Sequence, residues 1–196
     1  MHEGRREGGR RLHRRGASVT ERLEGVVAAL TSHLPRLYAV VDPARDPKVL
    51  DWLNDVHLPY QCLFQGEKAK TLAEEAPYLV HFGQDAAALQ KLVEAHHDGA
   101  VVTYLVSDAP FYAVRRHLRR IQMVRTEDDQ TLYFRYYDPR IARVFLPTCD
   151  EEQIRWMFGD VVDRWLTEGS DEAGLLAHYV ASDEGEAVSV RLDRVA

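Results

Sequence analysis

The sequence has few cysteines and no long apolar stretch. Cys62 and Cys149 are the only two thiols among 196 residues, and they stand too far apart for the paired spacing of a zinc site. Even the apolar stretch over residues 100–106, which Thr103 interrupts, falls well short of the roughly 20 residues that a membrane helix needs. These absences predict a reduced, cytoplasmic protein without a membrane segment.

The sequence also lacks the common signatures of catalysis and cofactor binding. It contains no H-E-x-x-H, no paired C-x-x-C, no glycine-rich phosphate loop and no G-x-S-x-G elbow. His96 and His97 precede Asp98 at the predicted end of a helix, where a histidine suits the helix dipole without any metal. Acidic residues are abundant, so a carboxylate pair across a cleft stays open as an alternative. We therefore predict no catalytic residue, no cofactor and no metal ion.

The net charge of −6 is distributed unevenly along the chain. Residues 1–22 hold seven arginines against three glutamates, so the rest of the chain carries −10. An acidic body disfavours nucleic-acid binding as the main activity. Residues 1–17 lack the apolar core of a secretory signal, and we interpret them as a disordered, arginine-rich tail.

Apolar periodicity and turn residues predict alternating helices and strands from residue 18 onward. Ser18 and Glu21 form an S-x-x-E capping box at the start of the first helix. The predicted helices cover residues 18–34, 46–56, 68–75, 85–96, 110–120, 139–146 and 150–158, and the predicted strands cover 37–41, 60–64, 76–82, 100–107, 122–126, 130–137, 161–166, 175–181 and 188–192.

The alternation of strands and helices is typical of the α/β class. An acidic turn at residues 127–129 joins two strands as an antiparallel hairpin, so we expect a mixed sheet. The prediction is an N-terminal α/β lobe over residues 18–138, with helices flanking the sheet. A smaller and more helical lobe with short terminal strands then covers residues 139–196. A chain of this length fits one domain with a subsidiary lobe.

The stretch from Leu132 to Arg140 reads L-Y-F-R-Y-Y-D-P-R and marks the predicted boundary between the two lobes. Its aromatic residues alternate with period two, which indicates a strand with two different faces. Asp138 offers an N-cap, and Pro139 stands where a helix tolerates proline best. Arg135 lies inside this strand, where a guanidinium needs acceptors to offset its lost hydration. We expect a polar strand-to-helix corner.

A basic stripe follows one side of the predicted helix over residues 110–120, formed by Tyr112, Arg115, Arg116 and Arg119. Arginines beside aromatic residues also occur on RNA-binding surfaces, where bases stack. The strands here lack the glycine-containing signature of an RNA-recognition strand, and the body is acidic. We interpret the stripe as a surface on which a protein partner docks.

Five short motifs occur in a fixed order along the chain. They are L-Y-A with Asp42, then A-P-Y-L-V at residues 76–80, R-x-L-R at 116–119, F-R-Y-Y-D-P-R at 134–140 and M-F-G at 157–159. Together they resemble the effector-adaptor or effector-chaperone family of bacterial type VI secretion, long catalogued as a domain of unknown function. The resemblance covers about residues 34–168, and F-R-Y-Y-D-P-R is its most specific part.

The resemblance implies a non-enzymatic cytoplasmic protein that binds a toxic effector and loads it onto a VgrG-type spike. It implies two partners, the cognate effector and the spike protein, and neither a nucleic acid, a membrane nor a small-molecule substrate. It also implies an α/β lobe followed by a more helical lobe, with a groove between them. This chain departs from the pattern at Gly159-Asp160, where relatives often have Gly-Pro, and it lacks the long C-terminal extension of some relatives.

Carried onto this chain, the resemblance marks positions that either fix the boundary between the lobes or contact a partner. The marked residues are Asp42, Tyr78, Arg135, Asp138, Pro139 and Arg140. An internal Arg–Asp pair is enough to explain the motif, and arginine's planar fork suits both roles. As a hypothesis, the partner groove is lined by Tyr78, Tyr133, Tyr137 and Arg115. Two alternatives stay open: a hydrolase-like enzyme that uses carboxylates or histidines of the groove, and an RNA-binding module.

Overall fold

The computed structural model describes residues 18–125, 128–169, 175–182 and 187–194. The tail predicted over residues 1–17 lies outside these residues. The described helices are α1 (Val19–Thr31), α2 (Val49–Asp55), α3 (Gly66–Thr71), α4 (Ala86–His96), α5 (Phe111–Arg120), α6 (Pro139–Phe145) and α7 (Glu151–Met157). The described strands are β1 (Leu37–Val41), β2 (Tyr60–Cys62), β3 (Tyr78–His81), β4 (Val102–Val106), β5 (Met123–Arg125), β6 (Thr131–Tyr133), β7 (Arg164–Glu168), β8 (Leu175–Ala181) and β9 (Val188–Arg194).

Local sequence signals fix several of these boundaries. The Ser18 side chain accepts from the backbone N–H of Glu21, and the Glu21 carboxylate accepts from the backbone N–H of Ser18, so the predicted capping box is confirmed. Asp85 caps α4 through the backbone N–H of Ala88. All five residues of β1 are buried, as its continuous apolar run predicts for a strand that is covered on both faces.

A seven-stranded sheet forms the centre of the molecule, in the order β2-β3-β1-β4-β7-β8-β9. The α/β class is confirmed. Its pairs are all antiparallel, so the parallel pairs that a mixed sheet would contain are not found among the described strands. β5 and β6 form the predicted hairpin, but they make a separate two-stranded sheet.

The sheet lacks parallel pairs among the described strands because β1 lies between β3 and β4. β3 and β4 both pair antiparallel with β1, so they run in the same direction with β1 between them. Helix α4 connects them, which makes a split β-α-β unit. The alternation of helix and strand therefore marks a true crossover, but another strand occupies the place where a parallel neighbour would pair.

Helices cover both faces of the sheet. On one face, alternate residues of β1 pack with the buried sides of α1, α2 and α4, including Leu30, Trp52 and Leu92. On the other face, Tyr38, Val40 and Trp165 pack with α5, α6 and α7. The two clusters are separated by the sheet because successive side chains of a strand point to opposite faces.

The sheet continues past residue 138 into the C-terminal part of the chain. β7 pairs with β4 from Thr103↔Thr167 to Val106↔Arg164, and β8 and β9 extend the same sheet. The boundary predicted between two lobes at residue 138 stays a prediction. In the described part of the chain, none of the helices combines the length and the apolar character that crossing a bilayer requires.

Candidate functional site

The corner between β6 and α6 forms where the hairpin ladder ends. The backbone N–H of Phe134 donates to the carbonyl of Gln122 over 2.8 Å. The Arg135 carbonyl then accepts from the backbone N–H of Asp138 over 3.0 Å, which closes a turn. The strand predicted over residues 130–137 is therefore wrong beyond residue 133, because the backbone turns towards α6 there and leaves the ladder.

Asp138 and Arg140 form a compact pair at the start of α6. The carboxylate caps the helix by accepting from the backbone N–H of Arg140 over 3.0 Å, and Pro139 holds the first helical position, as predicted. The guanidinium of Arg140 also donates Nε–H to Oδ1 (2.9 Å) and Nη2–H to Oδ2 (2.6 Å), a two-point fork. Burial alone would raise the pKa of Asp138, but the hydrogen bonds from Arg140 outweigh it and hold the pKa below its ordinary value.

A second pair joins the same corner to the end of β1. Nη2 of Arg135 donates to Oδ2 of Asp42, whose side chain is fully buried, while 40% of the Arg135 side chain is exposed. Oδ1 of Asp42 accepts from the backbone N–H of Ala44 over 3.2 Å. Burial raises the pKa of Asp42 above its ordinary value, and the guanidinium of Arg135 offsets only part of that increase. The pair therefore holds a carboxylate that is poorly compensated.

Two tyrosines of the corner are part of the core. Tyr136 is buried, and its hydroxyl donates to the carbonyl of Leu118 in α5 over 3.1 Å. Tyr137 is also buried, and its carbonyl accepts from the Thr103 hydroxyl of β4 over 2.7 Å. The guanidinium carbon of Arg135 lies 5.7 Å from the centre of the Tyr137 ring. Tyr137 is thus enclosed in this structure, and its predicted role in lining a groove stays a prediction.

Tyr133 and Tyr78 lie at the side of the corner, next to β2 and α3. The Tyr133 ring meets Phe64 edge to face with centroids 5.2 Å apart, and Nζ of Lys68 lies 4.0 Å from the Tyr133 centroid. The Tyr78 hydroxyl donates to the carbonyl of Ala73 over 2.9 Å. Both residues are half-buried.

Arg115 binds the sheet edge through a backbone carbonyl. Its Nε–H and Nη2–H both donate to the carbonyl of Cys62, over 3.1 and 2.8 Å. Burial raises the pKa of the Cys62 thiol, and burial likewise raises the pKa of Cys149 to about 11. Both thiols are therefore protonated near neutral pH, which disfavours a cysteine nucleophile.

Most of the predicted site residues thus contact each other or the backbone inside the fold, and we call the two Arg–Asp pairs at the corner the internal frame. Asp42 is joined to Arg135, and Asp138 is joined to Arg140, while the remaining candidates are engaged by rings or backbone carbonyls. In each Arg–Asp pair the carboxylate is occupied by a guanidinium and by at least one backbone N–H. For Asp138, whose pKa is lowered, these hydrogen bonds make the carboxylate a weak general base, because proton uptake would break them.

The basic face of α5 borders an open groove, which we call the α5 groove. Its volume is about 860 Å³, and it separates α5 from α7 and from the end of β8. Arg116 and Arg120 stand on one wall and Arg155 on the other, and all three are exposed. The half-buried Ala113, Val161 and Ala181 supply apolar surface between them, above the buried ring of Phe158. Of the predicted basic stripe only Arg116 lines this groove, because Tyr112, Arg115 and Arg119 line a smaller cavity beside α5. Arg120 and the opposite wall, which is distant in the chain, were missed.

His117 fastens α5 to α7 beneath this groove. It is buried, and its Nε2 lies 3.0 Å from the Met157 carbonyl, so this nitrogen carries the proton and donates. Nη2 of Arg120 lies 3.2 Å from Nδ1, which accepts. Burial lowers the pKa of His117, so the ring is neutral. Nε2 therefore joins α5 to α7, while Nδ1 is engaged by Arg120 within α5 itself.

Two further cavities open at the surface, one beside α5 and one beside α7. A smaller cavity of about 340 Å³ lies on the other side of α5, where Tyr112 is 69% exposed beside Arg115 and Arg119. An aromatic hollow of about 650 Å³ lies between the β5–β6 hairpin and α7, with Phe134 and Trp156 in its wall. The arginine-bearing surface thus extends over both sides of α5.

One group of side chains in the described residues has the composition of a metal site. Ligand atoms of His97, Asp98 and Glu168 all lie within 4.8 Å of one another. The sequence placed His97 and Asp98 at the end of α4, but Glu168 arrives there from β7. The neighbouring His96 is turned away, since its Nδ1 lies 3.1 Å from a carboxylate oxygen of Asp46.

Comparison with protein families finds a match that covers the central part of the chain. The model of the family described as "Domain of unknown function (DUF4123)" matches residues 37–155, which is more than half of the chain. The matched range contains both Arg–Asp pairs and all of α5. Comparison with curated proteins and with solved structures finds no match.

Proposed function

The chain belongs to the DUF4123 family, and we propose that it is a non-enzymatic adaptor that binds a type VI secretion effector in the cytoplasm and loads it onto a VgrG-type spike. The proposal is supported by the order of the five motifs, of which the first four lie within the matched residues. The observation that carries it is the arginine-lined α5 groove. It supplies a surface on which a polypeptide can lie.

The α5 groove has the composition of a protein-binding surface. Apolar side chains and guanidinium groups line it together, a mixture that is also found at protein interfaces. Arginine and tyrosine are the side chains that most often carry binding energy at such surfaces. Because the smaller cavity at Tyr112 continues the surface across α5, the whole area is longer than one small-molecule pocket.

The charge of the groove indicates which part of an effector it would bind. The three arginines of its lining outnumber Asp160, the acidic residue that also lines it, so the groove is net positive on a chain whose net charge is −6. Guanidinium groups pair with carboxylates in a two-point geometry. We propose that an acidic segment of the effector lies along α5, with an apolar side chain against Val161 and Ala181.

The internal frame fits an adaptor better than an enzyme. The Arg135–Asp42 and Arg140–Asp138 pairs fix the corner between β6 and α6, so the walls of the α5 groove rest on a defined core. Both nitrogens of His117 are occupied, which disfavours it as a general base of the groove. These observations support a binding role and weigh against the hydrolase-like alternative.

Co-purification tests the proposal directly. The full chain, carrying an affinity tag, is co-expressed with the candidate effector encoded beside its gene and with the VgrG-type protein. We expect the effector to co-purify with the chain, and the spike protein to join that complex. If neither protein is retained, the adaptor proposal is wrong.

Charge reversal then tests the α5 groove itself. R116E/R155E changes one exposed arginine on each wall, and we expect effector affinity to fall at least about tenfold. The matched control K48E/K91E makes the same change in charge on exposed lysines of the opposite layer. An equal loss in both variants would show a general effect of charge, and it would remove the groove from the proposal.

An RNA titration separates the remaining alternative. Oligouridine RNA is titrated into the same purified protein at several salt concentrations. Tight binding that weakens steeply with salt, and that R116E/R155E abolishes, would replace the adaptor proposal with an RNA-binding function. We expect weak binding, because the body of the chain is acidic.

A further inference from the structure

The turn between α4 and β4 meets the end of β7. Helix α4 ends at His96, and the chain reverses through His97, Asp98 and Gly99 before β4. Asp98 adopts a left-handed conformation with φ of 64°, which turns the chain sharply. Since β4 and β7 are neighbours in the sheet, this turn lies beside Glu168, the last residue of β7.

Three potential ligand atoms converge at this point, one from each of three side chains. The atoms of His97, Asp98 and Glu168 lie within 4.8 Å of one another, and Nε2 of His97 is 3.3 Å from Oδ1 of Asp98. Ligand atoms of a tetrahedral site with bonds of about 2.0 to 2.1 Å lie about 3.3 to 3.4 Å apart. One edge of the group already has this length, and the widest gap would have to close by at most about 1.4 Å.

His97 is the observation that points to a ligand. Only 2% of its side chain is exposed, yet its Nε2 makes no hydrogen bond among the described residues, since the 3.3 Å contact with Oδ1 of Asp98 lacks hydrogen-bond geometry. A polar nitrogen without a hydrogen bond at this depth is unfavourable, and buried polar groups in proteins are nearly always satisfied. This nitrogen lies beside two carboxylates, so a cation bound between them would give all three groups a partner.

Glu168 is buried as well, and the protein compensates its charge only in part. Its Oε1 accepts from the backbone N–H of Ala100 over 2.9 Å. The nearby Arg143 uses Nη1 to donate to the carbonyls of Glu168 and Gly169, over 3.0 and 2.9 Å. Among the described residues the carboxylate thus receives backbone donors, while the cation beside it binds carbonyl oxygens.

We propose that His97, Asp98 and Glu168 form a binding site for one divalent transition-metal cation, with Zn²⁺ as the preferred ion. One imidazole nitrogen with two carboxylate oxygens is a mixed ligand set, which suits Zn²⁺ or Mn²⁺ better than Mg²⁺ or Ca²⁺, since the latter favour oxygen ligands throughout. Asp98 is 40% exposed, so the ion can enter from its side and keep a water molecule as a fourth ligand.

The bound ion would join elements that are distant along the chain. It would fasten the α4–β4 turn to the end of β7, on the side of the sheet away from the α5 groove. The site therefore stabilises the fold and is independent of the adaptor proposal. Failure of effector binding would leave it untouched.

The test is metal binding to the purified full chain after chelator treatment and buffer exchange. We expect calorimetry to show one equivalent of Zn²⁺ bound at micromolar concentration, weaker Mn²⁺ and no saturable Mg²⁺. Because a ligand that binds only the folded state stabilises it, Tm should rise by about 5 to 10 °C at a zinc concentration of 100 times Kd. A zinc-soaked crystal should show an anomalous peak between the three side chains.

Variants assign the ion to these residues. H97Q and E168Q each remove one ligand while keeping a polar side chain of similar size, and each should weaken Zn²⁺ binding at least about tenfold. H57Q, at an exposed histidine far from the group, is the matched control and should bind as the unaltered chain does. Circular dichroism checks that each variant is folded, and H97Q serves if E168Q is not. Absence of zinc binding, or equal binding by H97Q and H57Q, would overturn the proposal.

Discussion

Two Arg–Asp pairs meet at the corner between β6 and α6, and they are built in opposite ways. Asp138 and Arg140 are two positions apart, and the arginine reaches back in a two-point fork to the residue that caps its own helix. Asp42 and Arg135 are 93 positions apart, and a single guanidinium nitrogen binds a fully buried carboxylate. The local pair lowers the pKa of its aspartate, whereas the pKa of the distant aspartate is raised because burial outweighs the pairing.

The difference shows that one motif combines two tasks. The local pair stabilises the start of α6 and would form in almost any chain that carries D-P-R at a helix start. The distant pair joins the corner to the end of β1, and it exists only when the whole sheet is assembled. The first pair is therefore a matter of helix capping, and the second is a matter of tertiary structure.

The largest effect is expected from R135M, which leaves the buried carboxylate of Asp42 without its cation. Removing one partner of a buried pair typically costs 3–5 kcal/mol of unfolding free energy, and we expect about 3 kcal/mol because the exposed side of Arg135 lets water reach the site. Urea denaturation at neutral pH measures this loss.

The double variant R135M/D42N is the control for that measurement. It removes the charge as well as its partner, so most of the lost stability should return, to within about 1 kcal/mol of the unaltered chain. If R135M costs no more than R140A does, the two pairs are equivalent and the comparison fails.

A smaller loss is expected from D138A, which removes the helix cap and both acceptors of the fork. Loss of an N-cap costs about 0.5–2 kcal/mol, and we expect about 2 kcal/mol in total. D138N keeps an oxygen that can cap α6 but loses the charge, so it should lose about 1 kcal/mol. If D138N is as unstable as D138A, then the cap contributes little and the fork carries the stabilisation.

The same contrast explains which features of the fold were predictable. The capping box at Ser18, the buried run of β1 and the D-P helix start depend on neighbours in the chain, and all three were predicted correctly. The partner of Arg135 was not predictable, because no local pattern names an acceptor 93 positions away. The predicted strand over residues 130–137 failed for a related reason. Its period-two pattern persists, but the backbone leaves the ladder to bring Arg135 towards Asp42.

The strand order of the sheet and the group of His97, Asp98 and Glu168 were also not predictable, because both depend on residues that are distant in the chain. Each strand was recognised from its composition, but the insertion of β1 between β3 and β4 is a property of the assembled sheet. The His97 and Asp98 pair was visible in the sequence and was read as a helix end. Glu168 comes from β7, so the third ligand could not be found without the fold.

Acid denaturation distinguishes the two aspartates, because ionisation of one stabilises the fold and ionisation of the other destabilises it. The folded pKa of Asp138 is lowered, so its stabilisation is present above the unfolded value near 3.9 and is lost as pH falls through the lower folded value. The folded pKa of Asp42 is raised, so ionisation destabilises the fold as pH rises from that unfolded value through the higher folded one.

Urea midpoints from pH 3 to 7 test this difference. Relative to D138N, the unaltered chain should lose its advantage on acidification. Relative to D42N, the urea midpoint of the unaltered chain should instead rise as pH falls through a window above pH 4. Parallel curves for the two comparisons would show that the environments of the two carboxylates do not differ as described.

The smallest effect is expected from R140A, although this arginine makes the better hydrogen-bond geometry. Half of its side chain is exposed, at 51%, so water replaces most of what the fork supplies, and exposed pairs contribute about 0.2–1 kcal/mol. We expect a loss of about 0.5 kcal/mol, which should shrink further in 1 M salt, where charges are screened within about 3 Å. R140K should recover little of the loss, because an ammonium group cannot span both carboxylate oxygens. A loss above about 2 kcal/mol that salt leaves unchanged would show that the Arg140–Asp138 pair behaves as a buried pair. In that case the burial of the carboxylate, and not the exposure of the arginine, would determine how much each Arg–Asp pair contributes to stability.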